Sequence, residues 1–166
     1  MKRHFLFVCL FTFAAVAYAQ DGHPHVSAQA ETHPVKVHEP FVRLLPPTQP
    51  NTAAFMVLEN AGEQDLALVR AESEASRVVE LHDHLMIDGM MRMREVERID
   101  LPAGARIELK PGGLHVMLIG LPAPLQQGQK VPITLVFDDD SRVEIHARVR
   151  HPGEEMPMHH HGHRHH

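Results

Sequence analysis

Apolar and polar residues alternate along much of the chain between residues 35 and 150. In residues 142–149 the apolar set Val143, Ile145, Ala147 and Val149 takes every second position. Arg142, Glu144, His146 and Arg148 take the positions between. Side chains on a strand point to opposite faces in turn, so this stretch reads as a half-buried antiparallel strand with His146 on its solvated side. "VPITLVF" (131–137) reads as a second strand, and "DDDS" (138–141) as the turn that makes the two a hairpin. "AAFMVLEN" (53–60), "LALVRAES" (66–73), "SRVVELHDH" (76–84), "ARIELK" (105–110) and "LHVMLI" (114–119) complete the set. The last two flank Pro111-Gly112-Gly113, which supplies turn chemistry. Turn signals every eight to twelve residues or so predict a β-sandwich or barrel. No strong helix is expected. "PAPLQQGQK" (122–130) reads as a loop with room for one helical turn.

The ends of the chain follow other patterns. Residues 1–19 carry Lys2 and Arg3, then an apolar run from Phe5 to Val16, then Ala17-Tyr18-Ala19. This is the layout of a secretory signal peptide with a small-x-small cleavage site, and it predicts export to the periplasm. No later segment is long enough to span a bilayer. Residues 20–34 are polar, with Pro24, Pro34 and three histidines, and read as a flexible arm. Residues 35–150 form the β domain. Residues 151–166, "HPGEEMPMHHHGHRHH", are a low-complexity tail rich in His and Met.

Cleavage after residue 19 changes the available chemistry. The single cysteine, Cys9, lies in the leader, so the mature chain would have no disulfide, no thiolate ligand and no cysteine nucleophile. The formal net charge of −5 becomes −7 when Lys2 and Arg3 leave. Such an acidic chain is a poor partner for nucleic acid. What stands out is 16 His and 9 Met against no Trp and one Tyr.

Two groups of these residues fall inside the β domain. On the 114–119 strand, Leu114, Val116 and Leu118 take the core face, which leaves His115 and Met117 adjacent on the other. Upstream, "ELHDHLMIDGMMRMRE" (80–95) holds His82, His84, Met86, Met90, Met91 and Met93. Arg92 and Arg94 alternate with Met91 and Met93, so thioethers and guanidiniums take opposite faces. Methionine is an ordinary core filler, and packing is expected for at least one of Met86, Met90 and Met91. The others would form a soft rim.

His82, Met93, His115 and Met117 together spell H-x10-M-x21-H-x-M. In this spacing, and in the words "VVELHDH", "GMMRMREV", "LPAGARIELKPGGLHVMLIGL" and "PLQQGQKVPITLVF", the chain resembles the periplasmic copper chaperones known as PCuAC. The likeness runs over about Val35 to Arg150. It implies a cupredoxin-like β-sandwich and Cu(I) held by His82, Met93, His115 and Met117. It also implies delivery to the Cu(A) site of a cytochrome oxidase subunit, with a Sco-type thiol protein as co-worker. Ligand exchange at a shallow, exposed site would be the mechanism. The residue types suit that chemistry on their own account, because soft Cu(I) prefers thioether and imidazole and needs no thiolate. Zinc more usually recruits Cys, His or carboxylate.

Other readings follow from the same residues. His84 shares a face with His82 and is either exposed or a substitute ligand able to recruit Cu(II). The His-rich tail is expected to capture Cu(II), with Met156 and Met158 assisting with Cu(I). Arg92 and Arg94 are exposed and offer themselves to an acidic partner. Asp138, Asp139 and Asp140 fit a hairpin turn and lack the spacing of a calcium loop. A periplasmic copper buffer without a dedicated client would carry the same signature as a chaperone. A blue-copper redox protein needs the cysteine that the mature chain lacks. No Ser-His-acid or paired-carboxylate arrangement marks an enzyme.

Overall fold

The computed structural model describes residues 33–153. They form ten strands and no helix: β1 (Val35–Arg43), β2 (Thr52–Asn60), β3 (Leu66–Glu72), β4 (Val78–Ile87), β5 (Met90–Glu95), β6 (Ile99–Leu101), β7 (Arg106–Leu109), β8 (His115–Ile119), β9 (Lys130–Phe137) and β10 (Arg142–Arg150). The segment 122–130 is turn and loop without the helical turn that its sequence left room for. The signal-like residues 1–19, the arm up to residue 32 and the tail beyond residue 153 lie outside the described residues.

The alternation is realised most plainly in β10. Ile145, Ala147 and Val149 are buried, while Arg142, Glu144, His146 and Arg148 are exposed. β10 pairs antiparallel with β9 as the predicted hairpin. Its turn occupies all three aspartates. Asp138 accepts the Ala67 amide at 2.9 Å, Asp139 accepts the Ser141 amide at 3.0 Å, and Asp140 takes a left-handed φ of 64°.

The strands run in the order β5-β4-β8-β2-β1-β10-β9-β3-β6, with β7 also on β2. Every pair is antiparallel except β1 with β10. The sheet curls so that β3 meets β4 without pairing with it. Inside the curl lie Val42, Met56, Leu58, Leu68, Leu81, Leu101, Val116, Leu118, Ile133 and Phe137, all buried in one cluster.

One connection differs from an ordinary hairpin. β8 pairs with β2 at residues 52–54, and β7 pairs with the same strand at residues 56–59. Both are antiparallel to β2, so the chain runs along one edge of β2, leaves it at Pro111-Gly112-Gly113, and rejoins it. The Pro-Gly-Gly segment is a bulged excursion closed by Gly113 N–H to Lys110 O at 3.0 Å and Lys110 N–H to Leu114 O at 2.9 Å. Gly112 sits at φ 81°, a left-handed conformation that favours glycine.

The last arm residues, His33 and Pro34, are held against this unit. His33 Nδ1 accepts the Val35 amide at 3.0 Å. The ring proton is therefore on Nε2, which donates to Ser141 Oγ at 2.8 Å. Ser141 Oγ in turn donates to Asp139 at 2.5 Å. This trio resembles a hydrolytic triad only in composition. The hydroxyl proton points at the carboxylate and the imidazole is a donor, so the serine has no general base.

Candidate metal centre

The strand registers decide which side chains meet. On β4 and β8, His82 lies opposite His115 and Glu80 opposite Met117. On β4 and β5, His84 lies opposite Met93 and His82 opposite Glu95. Directly opposed residues share a face, so His82, His84, Met93, His115 and Met117 all stand on one side of the sheet. Leu81, Val116 and Leu118 point the other way into the core. The β4–β5 hairpin turns at Asp88 (φ 52°) and Gly89 (φ 74°), two successive left-handed residues of the kind tight hairpins use.

His115 is the fixed point. It is only 2% exposed. Its Nδ1 lies 2.9 Å from the Gly113 carbonyl. A carbonyl only accepts, so Nδ1 carries the proton and Nε2 keeps its lone pair. Nε2 faces Met93 Sδ at 3.2 Å. Two lone-pair donors stand head to head, close to the ~3.5 Å that tetrahedral metal bonds of about 2.0 Å and 2.3 Å would set between nitrogen and sulfur. Burial lowers the His115 pKa below the usual imidazole value. The Gly113 hydrogen bond opposes that shift, and the neighbouring His84 and His82 add to it.

His82 is buried as well, at 9% exposure, with its ring 5.6 Å from that of His115. Its Nε2 donates to Glu80 Oε2 at 2.7 Å. Its Nδ1 is buried and has no hydrogen-bond partner among the described residues. An unpaired buried nitrogen is costly, and a metal ion is one group that would satisfy it. His84 stands closer to His115 than His82 does, with 5.1 Å between rings, and its Nδ1 makes only a long 3.4 Å contact with Gly113 O.

A cleft of ≈ 230 Å³ opens beside these groups. His84, Met93, His115 and Met117 line it together with Arg43, Asn51, Phe55, Pro111 and Gly112. His82 does not line it. The Arg43 guanidinium lies 5.2 Å over the Phe55 ring, and that ring is 6.1 Å from His115. Among the described residues no three His, Cys, Asp or Glu side chains gather closely enough to hold a metal ion. Met93 sulfur stands beside His115 as a further donor.

The structure therefore brings His82, Met93 and His115 into one neighbourhood and sets Met117 in the same cleft wall. Glu80, Gly113 and Phe55 are neighbours that the sequence reading did not single out. Glu80 was accessible to it, because a residue two before His82 shares its face. The methionines of the hairpin correct one expectation: Met86, Met90 and Met91 are all exposed, and none packs into the core. Met90 and Met91 lie on β5, an end strand of the sheet, and Met86 lies on its hairpin partner β4. Arg92 and Arg94 are exposed as expected.

Comparison with known proteins follows the same outline. The LpqE-like family model, "Putative lipoprotein LpqE-like", matches residues 35–149. "Putative lipoprotein Lxx21020" of Leifsonia xyli subsp. xyli is 39% identical over 100 residues, which is 60% of each chain. The chain thus spans about 60% of the length of that curated relative. The solution structure of CuI-DR1885 from Deinococcus radiodurans is 35% identical, with a TM-score of 0.60, covering 74% of this chain and 83% of that one. The copper-bound PCuAC domain from PmoF2 is 26% identical, with a TM-score of 0.61, covering 72% of this chain and 94% of that one. By its strand architecture and by these matches, the chain belongs to the LpqE-like family of PCuAC-type copper-chaperone domains, with their cupredoxin-like β fold.

Proposed function

We propose that this protein is a periplasmic copper chaperone. It carries Cu(I) on His82, Met93, His115 and Met117 and delivers it to the Cu(A) site of a respiratory oxidase. The observation that carries the reading is the bare Nε2 of His115 set 3.2 Å from Met93 Sδ. Soft Cu(I) takes both donor types, and two neutral imidazoles with two neutral thioethers leave the bound ion its single positive charge. The surroundings suit a carrier. The histidines are buried and oriented by Glu80 and Gly113, while Met93 is 45% exposed. One side of the set is therefore rigid and the other is open to an acceptor. A Sco-type protein offering thiolates would bind Cu(I) more strongly and withdraw it. Copper-bound relatives among the solved structures support the cargo. The lipoprotein name of the Leifsonia relative and the signal-like leader support an envelope location. No helix among the described residues is long and apolar enough to cross a membrane.

X-ray absorption on residues 20–166, which lack Cys9, with one equivalent of Cu(I) tests the centre. Two sulfur and two nitrogen neighbours are expected, with one sulfur lost in Met93→Leu and one in Met117→Leu. A copper ion bound only by nitrogen, unchanged in both variants, would refute the assignment. Transfer to an apo Cu(A) domain tests the client.

A further inference from the structure

β4 offers His115 two imidazole neighbours. His82 and His84 lie two residues apart on the same face, with rings 5.6 Å and 5.1 Å from the His115 ring. They are not equivalent. His82 is buried, engaged by Glu80, and set away from the cleft. His84 is half-buried and lines the cleft with Met93, His115 and Met117. Its Nδ1 has only the 3.4 Å contact with Gly113 O, a carbonyl that already takes a 2.9 Å bond from His115. The histidines do not gather into a three-imidazole site. His82 and His84 each approach His115 from β4, but only His84 shares the cleft with Met93, His115 and Met117.

We propose that His84 is the exit ligand of the centre. Resting on the Cu(I) function above, the inference is that the ion leaves a nitrogen of His82 for a nitrogen of His84. It then passes to a donor that an acceptor inserts into the cleft. One Cu–N bond forms as another breaks. No electron or proton changes owner, and the charge on copper stays +1. The cleft of ≈ 230 Å³ has room for a single incoming side chain. Through His84 the coordination number need not fall before that donor arrives, which removes the costliest point on a dissociative path.

The test uses residues 20–166, which lack Cys9, carrying one equivalent of Cu(I) under anaerobic conditions, with bathocuproine disulfonate as acceptor. Stopped-flow absorbance with excess chelator gives the withdrawal rate, and competition at low chelator gives the equilibrium affinity. In His84→Ala the rate is expected to fall about tenfold or more, with affinity held within about threefold. His84→Met restores a soft donor and should recover the rate. His82→Ala should lose affinity instead. A wild-type rate in His84→Ala, an affinity loss as large as that of His82→Ala, or a rate that stays slow in His84→Met overturns the proposal. Failure of the functional reading looks different, because the wild-type protein would then not hold one equivalent of Cu(I) against the chelator at all.

Discussion

The Nε2 atom of His115 stands 3.2 Å from the sulfur of Met93, although the strands that carry them are not neighbours. β4 lies between them, and the thioether reaches across it to the imidazole. The contact joins a buried, hydrogen-bonded ring to a long side chain on the outermost strand. The centre thus has a rigid half and a compliant half, and the two should respond differently to substitution.

Met93→Leu should separate binding from folding. The side chain is 45% exposed, so its replacement is expected to change stability by no more than about 0.5 kcal/mol. Cu(I) affinity should fall roughly 10- to 100-fold or more, since even outer-shell changes cost that much at metal sites. Thermal melts and chelator competition on the same sample check both halves. An unchanged affinity would remove Met93 from the centre.

Acid should act on His115 later than on a free imidazole. Its pKa is lowered from 6.5, chiefly by burial. As pH falls below about 6.5, the unfolded chain takes up the proton first, so the apo protein loses stability from there down through the lowered folded pKa. Above that window His115 contributes no pH dependence. Proton competition with copper at this ring should begin only below the ordinary imidazole range. Long-range ¹⁵N NMR of the apo protein reads the ring directly. A His115 midpoint at or above 6.5 would contradict the burial argument.

The Pro-Gly-Gly excursion should be sensitive at one glycine and tolerant at its neighbour. Gly112 has φ 81°, and a methyl group added there would meet only open space, so Gly112→Ala costs backbone strain alone, about 1–2 kcal/mol. It should also weaken Cu(I) binding, because Gly113 O sets the His115 tautomer. Gly113→Ala meets only Lys110 at ordinary contact distances of 3.7 Å and 3.8 Å, and should be nearly neutral. Urea titration and Cu(I) competition on both variants decide it. Equal effects from the two substitutions would show that the bulge does not orient the ring.

Deleting residues 151–166 should lower total copper uptake under oxidising conditions, since Cu(II) favours the imidazole-rich tail. Cu(I) binding at one equivalent should be spared. Metal analysis after dialysis against Cu(II) measures the first, and chelator competition the second. An undiminished copper content would take the tail out of copper capture.

Much of this was legible in the residue pattern alone. Period-two alternation marked β10 and assigned His146 to solvent. The same rule put His115 and Met117 on the face opposite Val116 and Leu118, where they are found. The H-x10-M-x21-H-x-M spacing singled out four residues, of which the structure gathers His82, Met93 and His115 and adds Met117 to the shared cleft wall. The methionine rim was harder to read. Met86, Met90 and Met91 have core chemistry, and only their place on an end strand and its hairpin partner leaves them exposed.

By itself the sequence determined seven of the ten strands, missing β1, β5 and β6, together with the facing of their side chains and the donor types, because these depend on local alternation and residue chemistry. Only the tertiary structure decided that Pro111-Gly112-Gly113 is a detour along one edge of β2, that Glu80 and Gly113 fix the two imidazoles, and that His84 fronts the cleft while His82 stands behind it. Those outcomes depend on which strands pair and in what register. Pairing is set by non-local burial of the whole sheet, which no short stretch of sequence encodes.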